Sequence, residues 1–206
     1  MRFLKELKAK QTYKVNIPFT GEIIISLEGF KVKRLTHKQV EAIFAVLSRH
    51  FEFEEIRKIT IKGVSYDPQH SKAYLKWKNE KEPIIYINNC YVKDKYDLLV
   101  SLTHEIAHVD PHAKNGKHDV FFILSFLTIA EAFSKCVKDK WLFWGKALRH
   151  IEELKSYFHI EDEAVNFLLK EKWKMWNEMF KKRVDKTHRR IEKALAKHIN
   201  SKHPYF

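Results

Sequence analysis

"IIYINNCYVKDKYDLLVSLTHEIAHVDPHAKNGKHDVFF", Ile84 to Phe122, sets two kinds of regular structure end to end. It opens on an apolar, β-rich run, Ile84–Ile87, and then changes to a helical period. In "KDKYDLLVSLTHEIAHVD" the residues Leu99, Leu102, Ile106 and Val109 fall on one stripe at about 100° per residue. Ser101, His104, Glu105 and His108 fall on roughly the opposite side. Asp110–Pro111 is a helix stop and Asn115–Gly116 a turn. A second, mostly buried helix is expected to begin near His118–Asp119.

Upstream, three strands are expected: "RKITIKGV" (57–64), "KAYLKWKN" (72–79) and "PIIYINN" (83–89). The last is uniformly apolar and reads as interior. The lysines of 72–78 suit an edge strand, where charge discourages unwanted pairing. "LTHKQVEAIFAVLSRHF" reads as a helix with Thr36 as its N-cap. Residues 12–34 read as two short strands with a turn near Thr20–Gly21. After Lys138 only helical patterns occur. One is "DKWLFWGKALRHIEELKSYF", and from Ile160 to Asn200 come one or two more. There Val165, Leu168, Trp176, Met179, Phe180, Val184, Ile191 and Leu195 form a stripe, and Trp173 and Trp176 read as core. The fold class is α+β: N-terminal strands over 1–35, a compact domain over 36–138, and a basic helical C-terminal region over 139–206.

Composition narrows the classes. The chain has 206 residues, 45% hydrophobic and 14% aromatic, enough for a packed core. The longest apolar run, Val120–Phe133, is short of the roughly 20 residues that span a bilayer and carries Ser125, Thr128 and Glu131. The start, "MRFLKELKAK", lacks a signal-peptide core. A cytoplasmic protein with no membrane partner is therefore expected. Its two cysteines, Cys90 and Cys136, are expected as buried free thiols. The net charge of +13 favours polyanionic partners.

The chemistry lies in HExxH, residues 104–108. Two imidazoles four residues apart on one helical face can point at a single ion, and Glu105 can reach a water that the ion polarises. Zinc lowers the pKa of such water toward ~7, and a carboxylate can then take its proton. The favoured third ligand is His118, ten residues after His108 and past the Asn115–Gly116 bend. Glu131 is the alternative, and His112 a local competitor beside Pro111. His118 and Glu131 stand thirteen residues apart on one expected helix, about 20 Å, so both cannot hold one ion. No transition-state stabiliser stands out; Tyr91 and His112 are within reach along the chain.

The arrangement resembles the small zinc metallopeptidases of the SprT-like, YgjP-like and WLM-type group, zincins with HExxH and a downstream His. Their pattern of strand, helix with HExxH, and a His in an H-x-x-x-F context corresponds here to "IYIN", "HEIAH" and "HDVFF". The resemblance covers about residues 36–135. It implies a zincin-like fold of helix, three-stranded sheet, HExxH helix and following helix. It further implies Zn²⁺ on His104, His108 and His118, Glu105 as general base, and Phe122 as a packing aromatic. Peptide-bond hydrolysis follows. An extended protein or peptide substrate would pair with the edge strand Ala73, Tyr74, Leu75, Lys76 and Trp77. The minigluzincins, similar in size, would use a glutamate in place of His118. The metzincin pattern fails, because Pro111 and Lys114 stand where its Gly and His would be.

From Glu171 to Phe206 there are 11 lysines and arginines against 4 acidic residues. Lys181, Lys182, Arg183, Lys186, Arg189 and Arg190 are candidates for contact with DNA or RNA phosphates. The resemblance adds that SprT-like proteases often act on DNA-attached proteins. The competing reading is a non-enzymatic basic nucleic-acid-binding protein whose zinc is structural or absent. A further expectation is a latent enzyme, with C-terminal helices covering the cleft.

Overall fold

The strands assemble into one sheet of order β1-β2-β3-β5-β4. They are β1 (Gln11–Ile17), β2 (Gly21–Glu28), β3 (Lys58–Val64), β4 (Ala73–Trp77) and β5 (Pro83–Asn88). The computed structural model describes residues 11–17, 21–28, 58–64, 72–79, 82–109 and 117–202. The helix expected from Thr36, the residue His112 and the bend at Asn115–Gly116 lie outside these.

β1 and β2 form the expected hairpin, and β2 then runs parallel to β3, Ile24 opposite Lys58 and Glu28 opposite Lys62. The three-stranded sheet of the sequence reading is therefore part of a five-stranded one, which the N-terminal hairpin extends. β5 lies between β3, parallel, and β4, antiparallel. Its apolar content fits that interior place. Pro83, Ile85 and Ile87 are buried, and Ile84 and Tyr86 between them are half-buried, the period of 2 that a strand imposes. β4 is the edge, as its lysines suggested. On its outer face Tyr74 stacks on Tyr86 at 4.6 Å, with the Lys76 ammonium 5.3 Å from the Tyr74 ring.

Among the described residues four helices follow: α1 (Lys95–Ala107), α2 (Val120–Ser134), α3 (Lys140–Tyr157) and α4 (Glu163–Lys202). Asp94 caps α1, accepting from the backbone N–H of Tyr96 at 2.8 Å and of Asp97 at 3.0 Å. Its Leu99, Leu102 and Ile106, with Val109 just beyond, are buried as expected. The opposite side is not solvated, however: Ser101 and Glu105 are 7% and 5% exposed. Other elements cover it.

One of them is α3, whose Lys146 and His150 meet Asp97 and His104. Phe143, Trp144, Leu148 and Ile151 join the buried cluster that holds Ile61 and Ile85 of the sheet, the apolar stripe of α1, and Phe122, Phe126 and Phe133 of α2. The region expected as a C-terminal extension thus shares the core of the domain.

α4 is one helix of 40 residues, about 60 Å long. Val165 and Leu169 are buried, and Trp173, Trp176 and Met179 pack partly against the core. Farther along, the stripe becomes exposed: Phe180 while still against Trp141 and Trp176, then Ile191 and Leu195. At Gly145 of α3 the two helices touch. A Cβ there would stand 2.9 Å from the Trp176 indole nitrogen, which donates to the Trp141 carbonyl at 2.7 Å. Both cysteines are thiols, but neither is fully buried: Cys136 is half-buried, and Cys90 is exposed because it lies in the turn that follows β5 rather than in the core. Among the described residues, no helix is long and apolar enough to cross a membrane.

Candidate metal centre

His104 and His108 sit one turn apart near the C-terminal end of α1. His118 reaches them from just before α2, and the capping of that helix explains why. Asp119 is its N-cap and accepts from the Phe122 backbone N–H at 3.1 Å. This fixes the turn so that His118 and Phe122 face the same point. The Phe122 ring, fully buried, lies 5.0, 4.5 and 4.6 Å from the rings of His104, His108 and His118.

The Nε2 atoms of the three histidines converge. They stand 3.2 Å apart for His104–His108, 3.1 Å for His108–His118 and 3.1 Å for His104–His118. Hydrogen bonding cannot satisfy that triangle. Each ring nitrogen is either donor or acceptor, so at least one edge always joins two of a kind. A cation satisfies all three lone pairs at once. Tetrahedral zinc, at roughly 2.0–2.1 Å from each nitrogen, would place them about 3.3 Å apart, close to what is found. Among the described residues these three form the group able to hold a metal ion. Glu131, the alternative ligand, is outside it: its carboxylate pairs with Lys172 of α4 at 2.7 Å. Helical phase turns it away from His118 and toward α4.

Electrostatics favour neutral, metal-ready rings. Burial lowers His104 well below the usual imidazole range, and the neighbouring rings of His150, His108 and His118 lower it further. Burial, with His118 beside it, brings His108 to about 4. Burial also lowers His118, against the opposing pull of Asp119. Glu105 is pushed up to about 8 by burial. A bound cation would draw it back toward the ionised form.

A cleft of about 470 Å³ opens on the His104–Glu105 side. Lys72 and Ala73 line one wall, at the start of β4. Arg149, His150 and Glu153 of α3 line another. Of the five edge-strand residues named from the sequence, Ala73 is the one in the lining. Tyr91 is exposed and absent from it. Lys146, also lining, pairs with Asp97 at 2.7 Å and Asp94 at 2.9 Å, tying α3 to the first turn of α1.

Two residues near the centre were missed by the sequence reading. His150 of α3 places its Nε2 2.9 Å from the Nδ1 of His104. Phe158, just past α3, stacks on the His118 ring at 4.4 Å and 20°. Both come from the region set apart as an extension. The available signal was a histidine next to the buried stripe Ala147, Leu148 and Ile151 of an otherwise lysine-rich helix.

The basic residues of α4 are elsewhere. Lys181, Lys182, Lys186, Arg189 and Arg190 are exposed. Arg183 is partly committed, at 3.0 Å from Asp139 and over the Trp141 ring at 4.6 Å. By helical phase Lys182, Arg183, Lys186, Arg189, Arg190 and Lys193 share a sector of about 120°, and Lys181 falls outside it.

Compared with protein-family models, with curated proteins and with solved structures, the chain has no significant match.

Proposed function

We propose that the protein is a zinc-dependent peptidase of the zincin type, with the SprT-like, YgjP-like and WLM-type enzymes as the group it resembles. The convergence of three Nε2 atoms beside a buried glutamate, at the wall of a cleft, carries this reading. His104, His108 and His118 would hold the ion. When bound, zinc supplies a Lewis acid that acidifies water toward neutral pH.

The chain's own groups do the rest. Glu105, in a poorly solvated place, takes a proton from the attacking water and returns it to the leaving amine nitrogen. Phe122 keeps the three rings in one orientation. β4, the sheet edge running into the cleft at Ala73, offers backbone groups to an extended peptide.

The test pairs metal content with proteolysis. Protein purified without chelator should carry close to one zinc per chain and cleave unfolded protein substrates. Glu105→Ala should keep the zinc and lose the cleavage. Full activity in that variant eliminates the proposed base, and less than about 0.2 zinc per chain eliminates the centre.

The exposed basic sector of α4 supports a second surface, for DNA or RNA phosphates. Lys186→Glu with Arg189→Glu and Arg190→Glu should weaken binding to duplex or single-stranded DNA and flatten its salt dependence. An unchanged salt slope removes these residues from the interface. DNA binding without cleavage of any substrate would favour the non-enzymatic reading.

A further inference from the structure

His104 is the one ligand whose outer nitrogen meets a protein partner among the described residues. The Nδ1 atoms of His108 and His118 are buried with none. That partner is the Nε2 of His150, at 2.9 Å. Resting on the metal centre proposed above, we infer that His150 is a positioning residue that selects the tautomer and orientation of His104, so that the C-terminal helical region builds part of the centre.

The protons can be followed ring by ring. If His104 turns the lone pair of Nε2 to a cation, its single ring proton is on Nδ1. That N–H must donate, and the atom in reach is Nε2 of His150. His150 therefore accepts at Nε2 and carries its own proton on Nδ1. Two rings that could each hold a proton on either nitrogen are reduced to one arrangement. The remaining N–H belongs to a residue that lines the cleft.

His150 is itself held. It projects from a helix whose Ala147, Leu148 and Ile151 are buried, and Phe126 of α2 packs on its ring at 5.7 Å. The outer partner of a metal-bound histidine is commonly a carboxylate or a carbonyl. A neutral imidazole gives the same orientation without adding negative charge.

The experiment uses the full chain with His150→Leu, which fills space without an acceptor, and His150→Gln, whose amide oxygen can accept where Nε2 does. Zinc affinity is read by competition with a chromophoric chelator, and ligand geometry by the visible spectrum of the Co²⁺ form. Far-UV circular dichroism monitors folding. His150→Leu should bind zinc about 10–100-fold more weakly and shift the cobalt bands, and His150→Gln should recover most of both. Should His150→Leu fail to fold, His150→Ile takes its place. Wild-type affinity and spectrum in the acceptor-free variant overturn the inference. So does equal weakness of the acceptor-free and Gln variants when both are folded. Failure of the wild-type chain to bind zinc would instead sink the centre itself, an outcome the same titration separates.

Discussion

Deleting residues 139–206 should destroy the domain rather than uncover an active core. Were α3 and α4 a lid over a self-sufficient enzyme, a chain ending at Lys138 would fold and cleave faster. The burial pattern argues the reverse. Phe143 and Leu148 are 0% exposed, Trp144 is 1% and Ile151 0%, all within the cluster that includes α1 and the sheet. Truncating one buried Phe or Trp costs about 3–5 kcal/mol, and one Leu or Ile about 2–5. Losing these four alone removes on the order of 10–20 kcal/mol. The net stability of a whole domain is about 5–15 kcal/mol. Residues 1–138 also lack His150, the Lys146 pairs with Asp94 and Asp97, and Phe158 against His118. Expressed alone, they should be insoluble, or show no cooperative thermal transition and no zinc binding. A soluble 1–138 fragment that melts cooperatively, binds zinc as tightly as the full chain and cleaves at an equal or higher rate would refute the reasoning.

Other perturbations test neighbouring parts of the argument. Gly145→Ala gains about 1 kcal/mol of helix propensity but forces a methyl to 2.9 Å from the Trp176 indole nitrogen. Overpacking of about 1–3 kcal/mol plus a weakened Trp176–Trp141 bond should leave it net destabilised by roughly 1–2 kcal/mol in urea unfolding; a gain in stability would show that α4 yields freely. Phe122→Ala should lose about 3–5 kcal/mol and weaken zinc binding, seen as a smaller zinc-induced rise in melting temperature, since its ring contacts all three histidines. An unreduced rise would separate that packing from the metal. Asp94→Ala should cost about 0.5–2 kcal/mol at neutral pH through the lost cap of α1. Burial works to raise the Asp94 pKa, but the backbone N–H groups of Asp97 and Tyr96 and the Lys146 ammonium outweigh it, and the folded value is lowered. The wild-type advantage is therefore present above the unfolded pKa of about 3.9 and shrinks as pH falls through the lower folded value. An advantage that held constant down to pH 2 would contradict this.

Local patterns carried most of the element order. The apolar run of Pro83–Asn88, the period near 3.6 in Lys95–Ala107 and the helix start after His118–Asp119 are written in adjacent residues, and the strands and helices follow them within two or three residues. The metal-ready triad was legible for the same reason. His104 and His108 are related by one helical turn, and His118 stands immediately before the first residues of the next helix. Glu131 was harder to judge, since its partner Lys172 is 41 residues away.

What the sequence by itself determined is the set of local elements and the residues poised to converge on an ion, because backbone sterics, capping and periodicity act over a few neighbours. Only the tertiary structure decided that the hairpin extends the central sheet and that α3 walls the cleft. It also decided that His150 and Phe158 stand against the histidines, and that the apolar stripe of α4 ends in solvent. Those outcomes depend on which apolar faces meet across tens of residues. Burial free energy is non-directional, so no local spacing encodes the match, and only the packed core selects it.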